Sequence, residues 1–439
     1  MNPPSRPVFS LFSPIPGSLT LEIPGLLQDP TMCLRCRSAQ LLCGKPACPL
    51  LLRYQGVLHT LRLTPGLAWD GSTPPGLFVG RMGYPYVQIG PLLTPEHGST
   101  EIYDTPERWV GRSVPEIVGF RTSLVRGMAP ARITDAEVSS PLVDHLQLLA
   151  LSSESADTEA VFRKPPRVRL ELSDETPPYG PSAPLEMFRP DVRRVDPHLE
   201  RAAGDIHATA REVVAELYVR EVPVSRIQRA FSAGVLGRRG HRRFVPTRWS
   251  ITAVDDLLSK ENLERIRTYP EINGWELYTL EALGNRWFVL LFPSSWCYES
   301  IESWSPGTLW NPTRSQVLMI GDHEGWNGRS QYARMGGCYY AARLAVTEKL
   351  LRRQHQAGAL VLREVHPGEI LPLGVWNVRE HVRAALRQSP RKLADWSQVA
   401  AEIAAYFQIP ARRWLRESHL LQNALFQHRL EDFDADPAR

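Results

Sequence analysis

The spacing of apolar positions changes period along this 439-residue chain. From residue 51 the pattern is that of short strands: residues 58–63 alternate, and 77–79 and 86–89 are brief apolar runs broken by Gly80, Gly83, Pro85, Gly90 and Pro91. The density of proline in this half argues against long helices. Residues 152–184 shift to Ser, Glu, Asp and Pro and read as a flexible segment carrying one period-two strand at 167–172. A helical period begins at His198, with Leu199, Ile206, Val213, Val214 and Leu217 on one face and Pro223 as its end. A second short helix covers 224–231. The centre returns to strands at 286–292 and 316–320. Gly336 and Gly337 then open a helix over 339–356, with Ala342, Ala345, Val346 and Leu350 inside and Gly358 as its stop. Further helices are expected over 378–387, 396–407 and 414–430, and no internal repeat is present. The expectation is an α+β fold, mixed and β-rich in its first part, with helices concentrated towards the C-terminus.

Composition sets the class. With 43% hydrophobic residues the chain can form two or three domains around a substantial core. No run approaches the roughly 18 apolar residues that cross a bilayer, and residues 1–20 lack a charged and then apolar leader pattern, so a cytoplasmic protein without membrane attachment is expected. Net charge is +4, but only Lys45, Lys164, Lys260, Lys349 and Lys392 are lysines among 51 basic residues. Arginine is spread over the whole chain, as a coding bias would leave it. One cluster stands out: Arg238, Arg239, His241, Arg242, Arg243 and Arg248, with Gly237, Gly240, Phe244 and Trp249. Guanidinium forks grip phosphate, glycine lets backbone approach, and aromatic rings stack on bases, so the cluster is a candidate surface for DNA or RNA. A solvated basic loop has the same composition. Acidic stretches at 154–159 and 431–436 keep the total near neutral, which confines any phosphate contact to a local patch.

Four cysteines, Cys33, Cys36, Cys43 and Cys48, have the spacing C-x2-C-x6-C-x4-C. Short loops between thiolates let one knuckle bring four ligands to within about 2.3 Å of a structural Zn2+. The alternative is disulfides, which need an oxidising compartment. A closed four-ligand set argues against an open catalytic metal. Cys297 and Cys338 are isolated among apolar and aromatic neighbours and read as small buried hydrophobes.

The candidate catalytic residues are carboxylates beside the two central strands: Glu299 and Glu302 after the first, Asp322 and Glu324 around His323 after the second. Converging there, they would hold Mg2+ or Mn2+ for phosphoryl transfer. Trp296, Tyr298, Trp304, Trp310 and Trp326 would then line a large aromatic pocket. Acid residues at strand ends are equally turn-formers and ion-pair partners, and the rings are equally core. GxxxxGK[ST], HExxH and GxSxG are all absent, so phosphate-loop ATPase, zincin and serine-hydrolase chemistry find no support.

Several strings together resemble the Nre family of mainly archaeal DNA-repair proteins. They are the cysteine knuckle, Phe78-Val-Gly-Arg-Met-Gly-Tyr-Pro85, Val245-Pro-Thr-Arg-Trp-Ser-Ile-Thr252, Trp304-Ser-Pro-Gly-Thr-Leu-Trp310 and Gly336-Gly-Cys-Tyr-Tyr-Ala-Ala-Arg343. Residues 1–30 are Pro-rich and read as irregular, ahead of the knuckle at 31–50, and the resemblance implies an N-terminal Nre domain at 51–300 and a C-terminal one at 301–420, leaving 421–439 as a tail. It also implies a role in repair and, as in archaeal members, a C-terminal peptide that binds the sliding clamp. Gln427, Leu430 and Phe433 match that peptide, with Asp434 where a second aromatic belongs. Gln422, Leu425 and Phe426 form another register, similar to the bacterial clamp peptide, with Asn423 in place of a leucine. Trp414, Leu421 and Leu425 could instead be the buried face of a terminal helix. Two classes follow: a repair-associated nucleic-acid-binding factor with structural zinc and a clamp tail, or a metal-dependent nucleic-acid-processing enzyme.

Overall fold

The computed structural model describes residues 66–166, 179–308, 311, 313, 315–367 and 373–426, and the single positions 36, 41, 48 and 51. Strands β1 (Ala68–Thr73), β2 (Leu77–Val79) and β3 (Tyr86–Leu93) lead through helix α1 (Val114–Thr122) to β4 (Val125–Arg132), helix α2 (Pro141–Leu151), β5 (Ala156–Phe162) and β6 (Ser182–Asp191). They form one sheet in the order β1-β5-β6-β4-β3-β2, antiparallel except where β4 meets β6. In β5 the period-two alternation is visible: Ala156, Thr158, Ala160 and Phe162 point inward while Asp157 and Glu159 face water. The segment expected to be flexible therefore contains β5 and the start of β6, whereas 58–63 and 167–172 lie outside the described residues.

Helices α3 (Pro197–Gly204), α4 (Ala210–Val219), α5 (Val224–Ser232) and α6 (Thr247–Ile266) follow and pack on this sheet through Leu199, Val213, Val214, Leu217, Ile227 and Val254. The single helix expected from His198 is two. Asp205 accepts from the amides of His207 and Ala208, Thr209 caps α4 in a reciprocal box with Glu212, and Ile206 is left exposed in the break.

The second sheet contains β7 (Trp275–Ala282), β8 (Asn285–Phe292), β9 (Cys297–Trp304), β10 (Leu318–Glu324), β11 (Gly358–Val365) and β12 (Arg391–Leu393), in the order β10-β9-β11-β8-β7-β12. Helix α7 (Gly337–Arg353) carries the crossover that makes β9 and β11 parallel. With α8 (Trp376–Arg387) and the end of α6, α7 covers one face of the sheet. Helices α9 (Trp396–Tyr406), α10 (Ala411–Glu417) and α11 (His419–Phe426) cover the other with Val399, Ile403, Phe407, Trp414 and Leu421. The fold is thus mixed α+β with two mixed sheets and its last three helices at the C-terminal end. Gly358 opens β11 rather than stopping α7, which ends at Gln354 in a left-handed turn (φ 53°). The helix expected over 414–430 breaks at Ser418. Of the four knuckle cysteines, Cys33 and Cys43 lie outside the described residues, and Cys36 and Cys48 are isolated described positions. Among the described residues no helix is long and apolar enough to cross a membrane.

Candidate nucleic-acid interface

The carboxylates at 299–324 are strand residues, and strand pleating divides them. His323 lies opposite Glu299, while Asp322 and Glu324 lie opposite Ser300 and Tyr298, the face that also carries Glu302. Each has a protein partner. Glu299 accepts from the amides of His419 (2.8 Å) and Leu420 (3.0 Å) and from Ser418 Oγ (2.5 Å), capping α11; burial nonetheless pushes its pKa up. Glu302 accepts from Arg363 Nη1 (3.0 Å), and Asp322 from Arg329 Nη1 (2.7 Å) and the Arg334 amide (2.6 Å). Glu324 accepts from Arg343 Nη1 (2.7 Å), Trp296 Nε1 (3.1 Å) and Tyr339 OH (3.1 Å). His323 stacks on His419 at 3.9 Å between ring centroids, and burial with that second imidazole lowers its pKa. Among the described residues no three such side chains gather as a metal-holding group. Trp296 and Tyr298 are stacked core residues, whereas Trp326 is exposed beneath the Arg267 guanidinium.

The arginine cluster divides by role. Arg242 is turned inward onto the carbonyls of Gly237 (2.7 Å), Ala203 (2.9 Å) and Asp205 (2.9 Å), and burial lowers its pKa. Arg243 ties Glu137 and the Gly240 carbonyl together. With Arg238, whose Nε donates to the His207 carbonyl (3.0 Å), these two fix the loop, whose Gly237 and Gly240 have φ of 103° and 84°. Arg238, Arg239 and Arg248 are exposed. Residues 222–254 contain seven arginines and no carboxylate.

Beside that loop is an aromatic group. The 78–85 and 245–252 strings meet where the Val79 amide donates to Thr247 Oγ1 (3.0 Å) at the start of α6. The contact sets Tyr84 against Trp249 at 5.1 Å between centroids, tilted by 52°. Tyr84 is 50% exposed and Trp249 45%; Met82, in the same connection, and Tyr86, the first residue of β3, are 81% and 65% exposed. Arg132, paired with Tyr86 across β3 and β4, sits over its ring at 5.9 Å. Residues 71–95 contain no carboxylate either.

The helices beneath share a direction. Gly337 lies against Thr252, where a Cβ would come within 2.9 Å of its hydroxyl, so a side chain there would force α6 and α7 apart or displace Thr252. Further along, Arg343 reaches Asp256 and Ser259, and Asn262 donates to Thr347 (3.3 Å). Val375 also lies against Gly337, and Arg383 pairs with Glu348. Residue numbers rise together, so α6, α7 and α8 are parallel and their N-termini, each with a partial positive charge, lie towards one end. None of the three has a side-chain cap.

Comparison with known proteins fixes the lineage. The family model described as Archaeal Nre, N-terminal, matches residues 42–311, and that described as Archaeal Nre, C-terminal, matches 324–433. The chain belongs to the Nre family. It is 39% identical over 393 residues to DNA repair protein NreB of Archaeoglobus fulgidus, covering 89% of this chain and 97% of the relative. Identity to DNA repair protein NreA is 33% for the same organism (87% of this chain, 95% of the relative) and 31% for Haloferax volcanii (81% and 88%). No solved structure matches the chain.

The two Nre regions are not separate sheets. Strands β7 to β9 fall in the first match and β11 and β12 in the second, yet all belong to one sheet. In the Nre tail, Gln427, Leu430 and Phe433 lie outside the described residues. Gln422 lies on α11, where its side chain donates to the Arg416 carbonyl (2.5 Å); Leu425 and Phe426 are helical backbone at its end. The sequence alone does not single out Tyr84 and Tyr86 as site residues. Tyr84 and Trp249 are far apart in the chain and come together only through the β2–β3 connection and α6.

Proposed function

We propose that this Nre protein is a DNA-repair factor that holds DNA against the face formed by the 238–248 loop and the start of α6. The observation that carries this reading is that Arg238, Arg239 and Arg248 are exposed on a segment without carboxylates, which runs directly into the exposed Tyr84–Trp249 pair at the start of α6. The names of its relatives, DNA repair proteins NreA and NreB, support the biological setting. To this reading we add two further parts: a structural Zn2+ held by Cys33, Cys36, Cys43 and Cys48, and a sliding-clamp peptide at Gln427, Leu430 and Phe433. The metal-dependent enzyme reading receives less support, because Glu299, Glu302, Asp322 and Glu324 are each occupied by protein donors.

Salt-dependent DNA binding tests the proposal. Replacing Arg238 and Arg239 with glutamine should weaken duplex binding irrespective of sequence and reduce the slope of log K against log salt by about 0.9 for each phosphate no longer neutralised. Parent and variant binding alike at both low and moderate salt would reject this face as the DNA surface.

A further inference from the structure

We infer that Tyr84 and Trp249, with Met82 and Tyr86 beside them, form a stacking platform for the unpaired bases of single-stranded DNA. This deepens the DNA-binding reading above and rests on it. Large apolar side chains exposed together mark a binding surface, and here four of them occupy the β2–β3 connection, the first residue of β3 and the start of α6.

The platform is held rigidly. The β2–β3 connection is closed by the Gly80 amide on the Gln88 carbonyl (2.7 Å) and the Tyr86 amide on the Gly83 carbonyl (2.9 Å). The Ile133 amide on the Pro85 carbonyl (3.0 Å) and the Val79 amide on Thr247 Oγ1 (3.0 Å) tie it to its neighbours. A connection whose main chain is fixed in this way loses little freedom when a ligand arrives. A base cannot enter between Tyr84 and Trp249, whose centroids are 5.1 Å apart, so bases stack on the outward faces, one after another along a strand.

Charge selects the occupant. Segments 71–95 and 222–254 contain no carboxylate, Arg132 sits over Tyr86 and exposed Arg248 adjoins Trp249, while the neighbouring acids Asp135 and Glu137 are already bonded, to the Arg132 amide and to Arg243 and the Gly240 amide. A polyanion with flat apolar faces matches both properties, whereas a protein partner would also need an acidic patch placed to meet these arginines. Pairing state follows from geometry: in a duplex the base faces are covered by their neighbours, so arginine still contacts phosphate but the rings find nothing to stack on.

The test is fluorescence anisotropy of the full chain with a labelled oligothymidylate and with a mixed-sequence duplex of equal length. Tyr84→Ala and Trp249→Ala should each weaken single-strand binding about tenfold or more, leave duplex binding within about twofold, and leave the unfolding midpoint unchanged. Trp249→Phe should restore most of the affinity. Photo-crosslinking of the parent to a 5-iodouracil oligonucleotide should label residues in 82–86 or Trp249, and this does not depend on any variant folding. Parent-like single-strand binding by both alanine variants, or crosslinks confined to other segments, would overturn the platform while leaving DNA binding intact. So would alanine variants that alter self-association or release a bound protein without altering DNA affinity. If the parent binds neither oligonucleotide at low salt, the DNA-binding reading fails, and the platform fails with it.

Discussion

Arg343 shows how single residues tie this molecule together. Its buried guanidinium donates to Ser259 Oγ (3.0 Å) and Glu324 (2.7 Å) and pairs with Asp256, linking β10, α6 and α7. Replacing it with methionine leaves the Glu324 carboxylate buried without its counter-charge, so a destabilisation of about 3–5 kcal/mol in chemical denaturation is expected. Adding Glu324→Gln should recover part of that stability, because the two effects share one interaction. His381 makes a different prediction. Its Nδ1 lies 2.7 Å from the Asn377 carbonyl and its ring stacks on Trp287; burial, aided by the nearby Arg363 charge, pushes its pKa down to about 4. Between the ordinary histidine value of about 6.5 and that value the unfolded chain binds a proton that the native one does not. Stability should therefore fall as pH drops from about 6.5 towards 4, by up to about 3 kcal/mol, and His381→Gln should flatten that part of the curve. Parallel curves for parent and variant would show that His381 is not buried neutral.

Among the elements, those with apolar faces are legible from spacing, and those with polar buried faces are not. The sequence places helix α9 within a residue and β8 nearly end to end because their inward positions are apolar, and α8 within two residues through Val378, Val382, Ala385 and Leu386, although that helix also buries Arg379, Glu380 and His381. The 20-residue α6 gives no such signal: its buried side includes Ser250, Asp255, Ser259 and Asn262. Those groups are satisfied by the Gln228 carbonyl, Arg379, Arg343 and Thr347, partners that no local pattern announces. Strand β9 is hidden in the same way, since Glu299, Ser300, Glu302 and Ser303 are buried within it. That explains why its carboxylates read as a candidate site. The arginine loop and Trp249 are visible as a cluster, but which of its arginines turn inward, Arg242 and Arg243, and which stay exposed, Arg238, Arg239 and Arg248, depends on partners distant in sequence such as the Ala203 carbonyl and Glu137. Two predictions concern the ends of the chain. Elemental analysis should find about one zinc per chain, and Cys33→Ser should lower the melting temperature; a metal-free protein would reject the knuckle. At the other end, Glu299 and Leu421 hold α11 against the sheet, so the 422–426 register would have to unwind to be read as an extended peptide. Calorimetry with the host organism's sliding clamp should show roughly micromolar binding, about −8 kcal/mol, that Phe433→Ala abolishes and Phe426→Ala leaves. The reverse pattern would place the contact in α11.

The whole molecule is organised around parallel helices shared by two sheets. Helix α6 contributes Val254 and Leu258 to the first core and Leu263 and Ile266 to the second, and α7 lies alongside it. This arrangement turns three helix N-termini towards one end, beside the arginine loop and the Tyr84–Trp249 pair, and reserves the acidic residues of β9 and β10 for internal contacts. In the function proposed above, the Nre chain presents this cationic, aromatic end to DNA, while the carboxylates of β9 and β10 hold the rest together. Hydrogen exchange on the full chain with and without DNA locates the bound strand directly. The account predicts slowed exchange at 81–86 and 238–250 with β9 and β10 unchanged; protection centred on residues 299–324, with none at the arginine and aromatic face, would contradict it.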